Sequence, residues 1–247
     1  MKVFVTMPIV VGNGSKYIST NLAHYAKILF PSKSIALIDF DFKYPYLAER
    51  LAIHDSTHSV DNLVDKIDGN FLTTDLFTEN MIKLKDGVDL LKGTKIKHNL
   101  KLIKKHHIEE IMKILKEKYD YVFISVSNEA LAGTVYSLFE ATDVILVARN
   151  NYSNYKECQK ALTLINHYRN AESNLHFIIN QYANSSDVIF TELLKDENVK
   201  NIELVPYNEE TFDNNDLDKN KIVSKMFKSK NATQEIFQTI LNKLVVE

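Results

Sequence analysis

The chain contains 247 residues, of which 45% are hydrophobic and 25% are charged, and its formal net charge is −2. This length and composition suit a globular protein with one large α/β domain or two small ones. The near-zero charge gives no general attraction to nucleic acid or anionic membranes, and the single cysteine, Cys158, excludes an intramolecular disulfide framework and a thiolate metal cluster.

Short apolar runs alternate along the chain with longer segments in which apolar residues recur at helical spacing. The runs predicted as strands are residues 2–6, 34–40, 121–126, 143–148, 175–180 and 202–206. Helical spacing is found at residues 18–29, 108–115, 158–165 and 236–244. Strands that are apolar on both faces and separated by helices are typical of a covered parallel sheet. We therefore predict an α/β fold, a single domain over residues 1–247 with a doubly wound, mainly parallel sheet, helices on both faces and a C-terminal helix at 232–246.

The first predicted strand leads into a loop of the pattern G-x-G-S-K, just before a predicted helix. Gly12 and Gly14 would let backbone N–H groups converge on an anion without an intervening Cβ, and the helix N-terminus would add partial positive charge. The full phosphate-binding motif places lysine before the hydroxyl residue, whereas here Ser15 precedes Lys16. By itself, the loop is also explained as a glycine-rich turn between a strand and a helix.

Further segments stand in the order found in one family of nucleotide-binding proteins. They are NLA at 21–23, ALIDFDFKYPYLAERL at 36–51, GVDLLKG at 87–93, KYDYVFISVS at 118–127, EATDVILVARNNYSNYKECQKAL at 140–162, FIINQY at 177–182 and LVPYNEE at 204–210. Together with the loop they resemble the ParA/MinD group of deviant Walker A P-loop ATPases, which begins with a strand, K-G-G-x-G-K-T and a helix carrying N-L-A. The resemblance extends over residues 2–208 and implies a P-loop NTPase fold.

The resemblance also implies a nucleotide site. The residues that it assigns to binding ATP or ADP are Gly12, Asn13, Gly14, Ser15, Lys16, Tyr17, Asn180, Pro206 and Asn208. Asp39 and Asp41 match the pair that holds a metal-bound water and helps to activate the attacking water, so both are candidate catalytic residues and Asp39 is a candidate metal contact through water. The alternatives are that these carboxylates cap a helix or pair with Lys43, and that Asn180 is a strand-end cap.

Four positions depart from the family pattern. Val10 stands at the signature lysine, Ser15 at the second lysine, Lys16 at the Mg²⁺-binding threonine and Ser125 at the Walker B aspartate. Hydrolysis of ATP depends on Mg²⁺ and lysine to neutralise charge, and losing one such group commonly costs on the order of 10²–10³ in rate. We therefore predict a weak or inactive ATPase with an incomplete Mg²⁺ site. One hypothesis puts the Lys16 ammonium in the space of Mg²⁺, where it neutralises a phosphate, and the alternative is a Lys16 that points to solvent.

Six lysines crowd one segment of the chain, and they are Lys92, Lys95, Lys97, Lys101, Lys104 and Lys105. The segment is a candidate surface for DNA phosphates or acidic lipid, and the alternative is a solvated loop with a helix start. His106 and His107 follow directly. Because adjacent residues of a helix point about 100° apart, we expect that these two histidines cannot bind one metal ion together, and we predict no metal site there.

Membrane contact is not expected. Thr6 and Pro8 interrupt the first apolar run, and the sequence has no stretch of 18 apolar residues, so we predict a cytoplasmic protein without a signal peptide or membrane span. The last predicted helix has one apolar face, made of Ile236, Phe237, Ile240, Leu241 and Leu244. Membrane anchors usually carry several basic residues on the polar face, and only Lys243 does so here. Packing into the core or against a partner helix is therefore favoured.

Four functions fit these features. The first is a ParA/MinD-like pseudo-ATPase that positions or scaffolds a cellular assembly such as a pilus, secretion or partition complex, similar to the CpaE/TadZ branch. The second is a plasmid partition ATPase that binds ATP and non-specific DNA through the lysine-rich segment. The third is an ATPase whose site is completed by a partner or by Lys16, and the fourth is a subunit without a ligand. A protein partner is expected, and family members usually form homodimers, which the resemblance implies here too.

Overall fold

The computed structural model describes residues 1–55, 57–95, 102–183, 188–195, 197–207 and 232–245. Eight strands of these ranges form one sheet in the order β3-β4-β2-β5-β1-β6-β7-β8. The strands are β1 (Lys2–Pro8), β2 (Ile35–Phe40), β3 (Ile82–Lys83), β4 (Asp89–Leu91), β5 (Tyr121–Val126), β6 (Asp143–Ala148), β7 (Asn174–Tyr182) and β8 (Val199–Pro206). All neighbouring pairs are parallel except β3 and β4. The predicted α/β fold with a mainly parallel sheet is therefore confirmed.

The described helices connect these strands and cover both faces of the sheet. They are α1 (Ser15–Leu29), α2 (Leu47–Arg50), α3 (Val60–Asp68), α4 (Thr74–Glu79), α5 (Lys105–Lys118), α6 (Ala132–Glu140), α7 (Tyr152–Tyr168), α8 (Thr191–Leu194) and α9 (Ala232–Val245). Helix α9 lies within the segment that the sequence predicts as a C-terminal helix. Short strands β3 and β4 were not among the predicted runs, because strands of two and three residues give almost no periodic signal.

The central strand β1 shows why the sheet is buried on both faces. Val3 and Val5 point into a core shared with α5, α6 and α7, whereas Phe4 points into a second core shared with α1 and α9. All three side chains are fully buried. Side chains of a strand point alternately to the two faces of the sheet, and here the side chains on both faces are apolar. Helices must therefore cover both faces, and burial of these apolar side chains explains the layered architecture.

Helix α9 packs its apolar face into the second core. Phe237 stacks on Tyr25 of α1 with ring centroids 5.7 Å apart, and its edge contacts Tyr17 at 5.9 Å. Ile240, Leu241 and Leu244 are also buried. Core packing of this helix is what the sequence favoured over a membrane anchor. None of the described helices is both long enough and apolar enough to cross a membrane.

Candidate functional site

The loop between β1 and α1 depends on two glycines with left-handed backbone geometry. Gly12 has φ of +93° and Gly14 has φ of +88°. A Cβ on Gly14 would lie 2.2 Å from Nδ2 of Asn180, whereas a Cβ on Gly12 would meet no atom within 4 Å. The conformation alone favours glycine at both positions, and at position 14 a Cβ would also have to displace the Asn180 side chain.

Buried asparagines tie this loop to the sheet and to α7 by hydrogen bonds. Asn180, at the end of β7, donates from Nδ2 to the carbonyl oxygen of Asn13 over 2.8 Å. Asn13 in turn donates from Nδ2 to the carbonyl oxygen of Val147 over 3.2 Å and to Oδ1 of Asn154. Asn13 and Asn180 are each only 2% exposed. This geometry favours the alternative role of Asn180 as a strand-end cap that shapes the loop, and its contact with adenine stays a prediction.

An open cleft of about 260 Å³ lies over the loop and the start of α1. It is lined by Pro8, Val11, Gly12, Gly14, Ser15, Lys16, Asp41, Tyr44, Tyr46, Arg50, Ser127 and Asn128. Because the cleft opens at the carboxyl ends of parallel strands, it occupies the usual ligand position of an open α/β sheet. The structure thus brings Gly12, Gly14, Ser15, Lys16 and Asp41 together around one cleft.

Other predicted site residues do not line this cleft. Tyr17 packs against Phe237 of α9, and burial raises the pKa of Tyr17 to about 12, so this phenol belongs to the core. Pro206 lies at the end of β8, outside the cleft. Asn208 lies outside the described residues. The nucleotide contacts assigned to these three residues stay predictions.

The most informative feature of the cleft is a buried group of three charges at its base. Lys16 Nζ lies 2.7 Å from Oδ1 of Asp39 and 3.2 Å from Oδ2 of Asp41. Lys16 is 8% exposed, so the expectation that it points to solvent is wrong. Asp39 is fully buried, which raises the pKa of Asp39, while the ammonium of Lys16 opposes that rise. One ammonium and two carboxylates give this ion triad, as we call it, a formal charge of −1.

The two carboxylates of the triad also build the turn that follows β2. Asp39 Oδ2 accepts from the backbone N–H of Leu47 over 3.0 Å, and Asp41 Oδ1 accepts from that of Tyr44 over 3.1 Å. The capping interpretation of these residues therefore describes part of their role. Lys43 pairs with Glu129 instead of serving as their partner.

The triad does not fit a magnesium site of the family type. The position between Asp39 and Asp41 is filled by an ammonium at contact distance from both, and a divalent cation there would meet a like charge. Ser125 is the register partner of Asp39 in the sheet. Its Oγ is buried without a hydrogen-bond partner among the described residues. A serine hydroxyl, unlike a carboxylate, adds no negative charge that would attract a divalent cation.

Sequence reasoning missed one cation that lines the cleft, Arg50. Arg50 reaches the cleft from the last position of α2. Tyr44 and Tyr46, in the turn before α2, also line the cleft, and their rings lie 6.4 Å apart. The backbone N–H of Arg50 donates to the carbonyl oxygen of Tyr46 over 3.0 Å, which places the arginine one turn after that tyrosine. The signal was present as an arginine shortly after the Asp39–Asp41 pair, but its direction depends on the turn that the pair builds.

The histidines next to the lysine-rich segment correct one expectation. The rings of His106 and His107 do not diverge, since their centroids lie 3.9 Å apart and both Nε2 atoms approach Oδ1 of Asp68, at 3.2 and 2.8 Å. Although the three side chains are close enough to surround an ion, the backbone N–H of Lys104 donates to Nδ1 of His107. A neutral His107 then carries its proton on Nε2, facing Asp68, which favours a hydrogen-bonded clasp between α3 and α5 over metal binding.

Two described lysines of the lysine-rich segment already make local contacts. Lys92 Nζ donates to the carbonyl oxygen of Asp55, and Lys105 pairs with Glu109 over 3.2 Å. Lys97 and Lys101 lie outside the described residues. DNA binding through the segment from Lys92 to Lys105 therefore stays a prediction.

Comparison with known proteins gives a likeness of fold. No protein-family model and no curated protein matches the sequence. Among solved structures, a ParA family ATPase from Chlorobium tepidum TLS has a TM-score of 0.80 at 16% identity, covering 100% of this chain and 98% of that chain. MinD from Pyrococcus horikoshii OT3, complexed with Mg-ADP, has a TM-score of 0.75 at 16% identity, with coverage of 99% and 96%. The Aquifex aeolicus MinC:MinD cell division complex gives 0.76 at 14% identity, with coverage of 100% and 97%. The chain therefore has the α/β P-loop fold that the ParA and MinD structures share.

Proposed function

We propose that this protein is a ParA/MinD-like scaffold or positioning factor for a cellular assembly, with weak or no ATP hydrolysis. The observation that carries the proposal is the Lys16 ammonium held between Asp39 and Asp41. An internal cation stands where the ATPases of this fold type would use a metal ion. Regulation by a cycle of Mg²⁺-dependent hydrolysis is therefore not the function that this geometry supports.

The chemistry of the triad explains why turnover should be weak. Phosphoryl transfer needs positive charge on the transferred group and a positioned water. The carboxylates of Asp39 and Asp41 neutralise the Lys16 ammonium, so this ammonium has no spare charge for a phosphate. The hypothesis that Lys16 neutralises a phosphate directly therefore loses support. Asp39 and Asp41 each contact the ammonium and a backbone N–H group, so both carboxylates already hold the triad and the turn together.

A protein partner is the second part of the proposal. One solved structure of this fold is a complex between MinD and MinC, and we infer that the present chain likewise acts by docking to another protein. An ion triad that needs no added metal keeps the loop and the β2–α2 turn in one arrangement. We propose that this fixed arrangement presents a constant docking surface, either as a monomer or as a homodimer.

The proposal is tested by measuring phosphate release from ATP with and without Mg²⁺. We expect no Mg²⁺-dependent turnover from the wild type. The matched control is a variant that restores the family residue at all four positions, Val10→Lys, Ser15→Lys, Lys16→Thr and Ser125→Asp, in which Mg²⁺-dependent release is expected to rise. Rapid Mg²⁺-dependent release from the wild type that disappears in Asp41→Ala would show that the proposal is wrong.

A further inference from the structure

We propose that Arg50 is the anion-binding group of the cleft and that its ligand is a nucleotide phosphate bound without a metal ion. The inference deepens the proposed function, because it rests on a cleft in which an ammonium has replaced the metal. It assigns the role of phosphate contact to a lining residue outside the glycine loop. The signature-lysine position, Val10, carries no charge.

The charges that line the cleft lead to this assignment. Three lining residues are charged, namely Lys16, Asp41 and Arg50. Lys16 is committed to the ion triad, whose sum is −1. Arg50 forms no ion pair with the residues that the structure describes, and it is exposed. Its guanidinium therefore offers a positive charge on the lining that no described residue pairs with. Added to the −1 of the triad, this charge brings the net formal charge of the cleft near zero.

The position of Arg50 is fixed by the same residues that hold Lys16. Asp39 Oδ2 accepts from the N–H of Leu47, the first residue of α2, and Leu47 is fully buried. Arg50 follows on the same short helix, so its backbone is tied to the triad through one hydrogen bond and one buried side chain. The backbone of this charged group is therefore fixed before a ligand binds, and only its side chain has to be ordered.

The chemistry of the guanidinium selects the ligand class. Its planar fork of N–H donors matches the oxygens of a phosphate in a two-point contact. Elsewhere on the lining, α1 begins after Gly14, which has no side chain to cap the helix, so first-turn N–H groups remain for a ligand. Tyr46 is 40% exposed next to Arg50 and supplies apolar surface for the nucleoside.

The test is titration calorimetry of the full chain with ADP, inorganic phosphate and adenosine, each with Mg²⁺ or with EDTA. The variants are Arg50→Ala, Arg50→Lys and Arg169→Ala, the last removing the same charge at the end of α7, far from the cleft. We expect ADP to bind the wild type equally in Mg²⁺ and EDTA and more tightly than phosphate or adenosine. Arg50→Ala should weaken ADP binding at least about 10-fold, Arg50→Lys should weaken it less, and Arg169→Ala should not change it.

Three results would overturn the inference: no binding of ADP to the wild type, equal binding by Arg50→Ala and Arg169→Ala, or binding that requires Mg²⁺. Because Arg50 is exposed, equal thermal melting of wild type and Arg50→Ala will show that a lost affinity is not a lost fold. Neither the absence of ADP binding nor equal binding by the two arginine variants bears on phosphate release. The inference can therefore fail while the proposed function stands. Mg²⁺-dependent binding together with turnover would contradict both.

Discussion

Lys16 and its two carboxylates form the group on which the chemistry of the cleft depends. A buried charge is tolerated when it is paired and hydrogen-bonded, and removing one member leaves the others uncompensated. Here the triad contains one cation for two acids, and the backbone N–H groups of Leu47 and Tyr44 share the remaining negative charge. The triad is therefore a structural element of the β2–α2 turn, and under the proposed function it also takes the place of a metal ion.

Replacing Lys16 with threonine, the family residue, should separate these two roles. We expect Lys16→Thr to lower the free energy of unfolding by roughly 3–5 kcal/mol, because two buried carboxylates lose their cation. Mg²⁺ should then raise the urea midpoint of this variant and leave the wild type unchanged, since only the variant has room for a divalent ion. The exposed Lys160→Thr is the control. A wild type that Mg²⁺ stabilises as much as it stabilises Lys16→Thr would contradict this expectation.

The glycines of the loop allow a second test at single positions. Gly12→Ala and Gly14→Ala both force alanine into positive φ, but only Gly14→Ala collides with Asn180. We expect Gly12→Ala to cost roughly 1 kcal/mol of unfolding free energy and Gly14→Ala clearly more. Denaturant unfolding of both variants measures the difference. Adding Asn180→Ala should recover part of the loss in Gly14→Ala, and equal losses in the two single variants would argue against the contact.

Helix α9 and helix α1 belong to one packing unit although they stand at opposite ends of the chain. Phe237 lies between Tyr17 and Tyr25, and Lys2 of β1 donates to the carbonyl oxygen of Leu244 over 2.6 Å. The amphipathic pattern of the last segment was readable from the sequence, but an apolar helical face fits a core, a partner or a membrane equally well. Burial against α1 decides between them, because it leaves that face no surface for lipid.

Truncating the central aromatic residue of this unit gives the third prediction. Phe237→Ala should lower the free energy of unfolding by roughly 3–5 kcal/mol, because it opens a cavity between two tyrosine rings. The exposed Glu235→Ala, on the same helix, should change stability little. Chemical denaturation measures both variants. In addition, the wild type should not float with anionic vesicles, and vesicle binding that Phe237→Ala abolishes would identify the helix as a membrane anchor instead.

On the scale of the whole sheet, charged groups are gathered at both ends of the strands. The cleft lies at the carboxyl ends, and a separate buried pair, Asp143 and His176, lies near the amino ends of β6 and β7 with Nε2 and Oδ1 3.0 Å apart. Burial by itself would raise the pKa of Asp143, but hydrogen bonds from His176, Asn174 and Thr142 lower it below its ordinary value. Asn201 of β8 contacts the other ring nitrogen of His176, so the network joins three strands.

This network predicts how stability depends on pH. Because the pKa of Asp143 is lower in the folded state, its ionised form stabilises the fold above its unfolded pKa of about 3.9, and that stability is lost as pH falls through the folded value. We expect Asp143→Asn to be less stable than the wild type at neutral pH and the gap to narrow at acid pH. Urea unfolding from pH 7 to pH 3 measures it, with the exposed Asp65→Asn as the control. A gap that stays constant over this range would refute the prediction.

The sequence by itself determined the class of fold and the position of the loop. Strands that are apolar on both faces and helices with one apolar face are local patterns, and they leave few architectures that bury every apolar surface. The order of landmarks from Lys2 to Asn208 narrowed these to one family of P-loop folds. The absence of a lysine at Val10 and Ser15 was equally visible, since it requires only reading along the chain.

Only the tertiary structure decided what the altered residues do. Lys16 had two equally good directions until the distances to Asp39 and Asp41 showed that the ammonium is shared by both carboxylates. Arg50 lines the cleft because the turn that those carboxylates build positions α2. His106 and His107 both contact Asp68 at the start of α5. Such outcomes depend on distances through space and on desolvation, and spacing along the chain does not specify either, so a sequence motif can place a residue at a site without showing which charge it meets there.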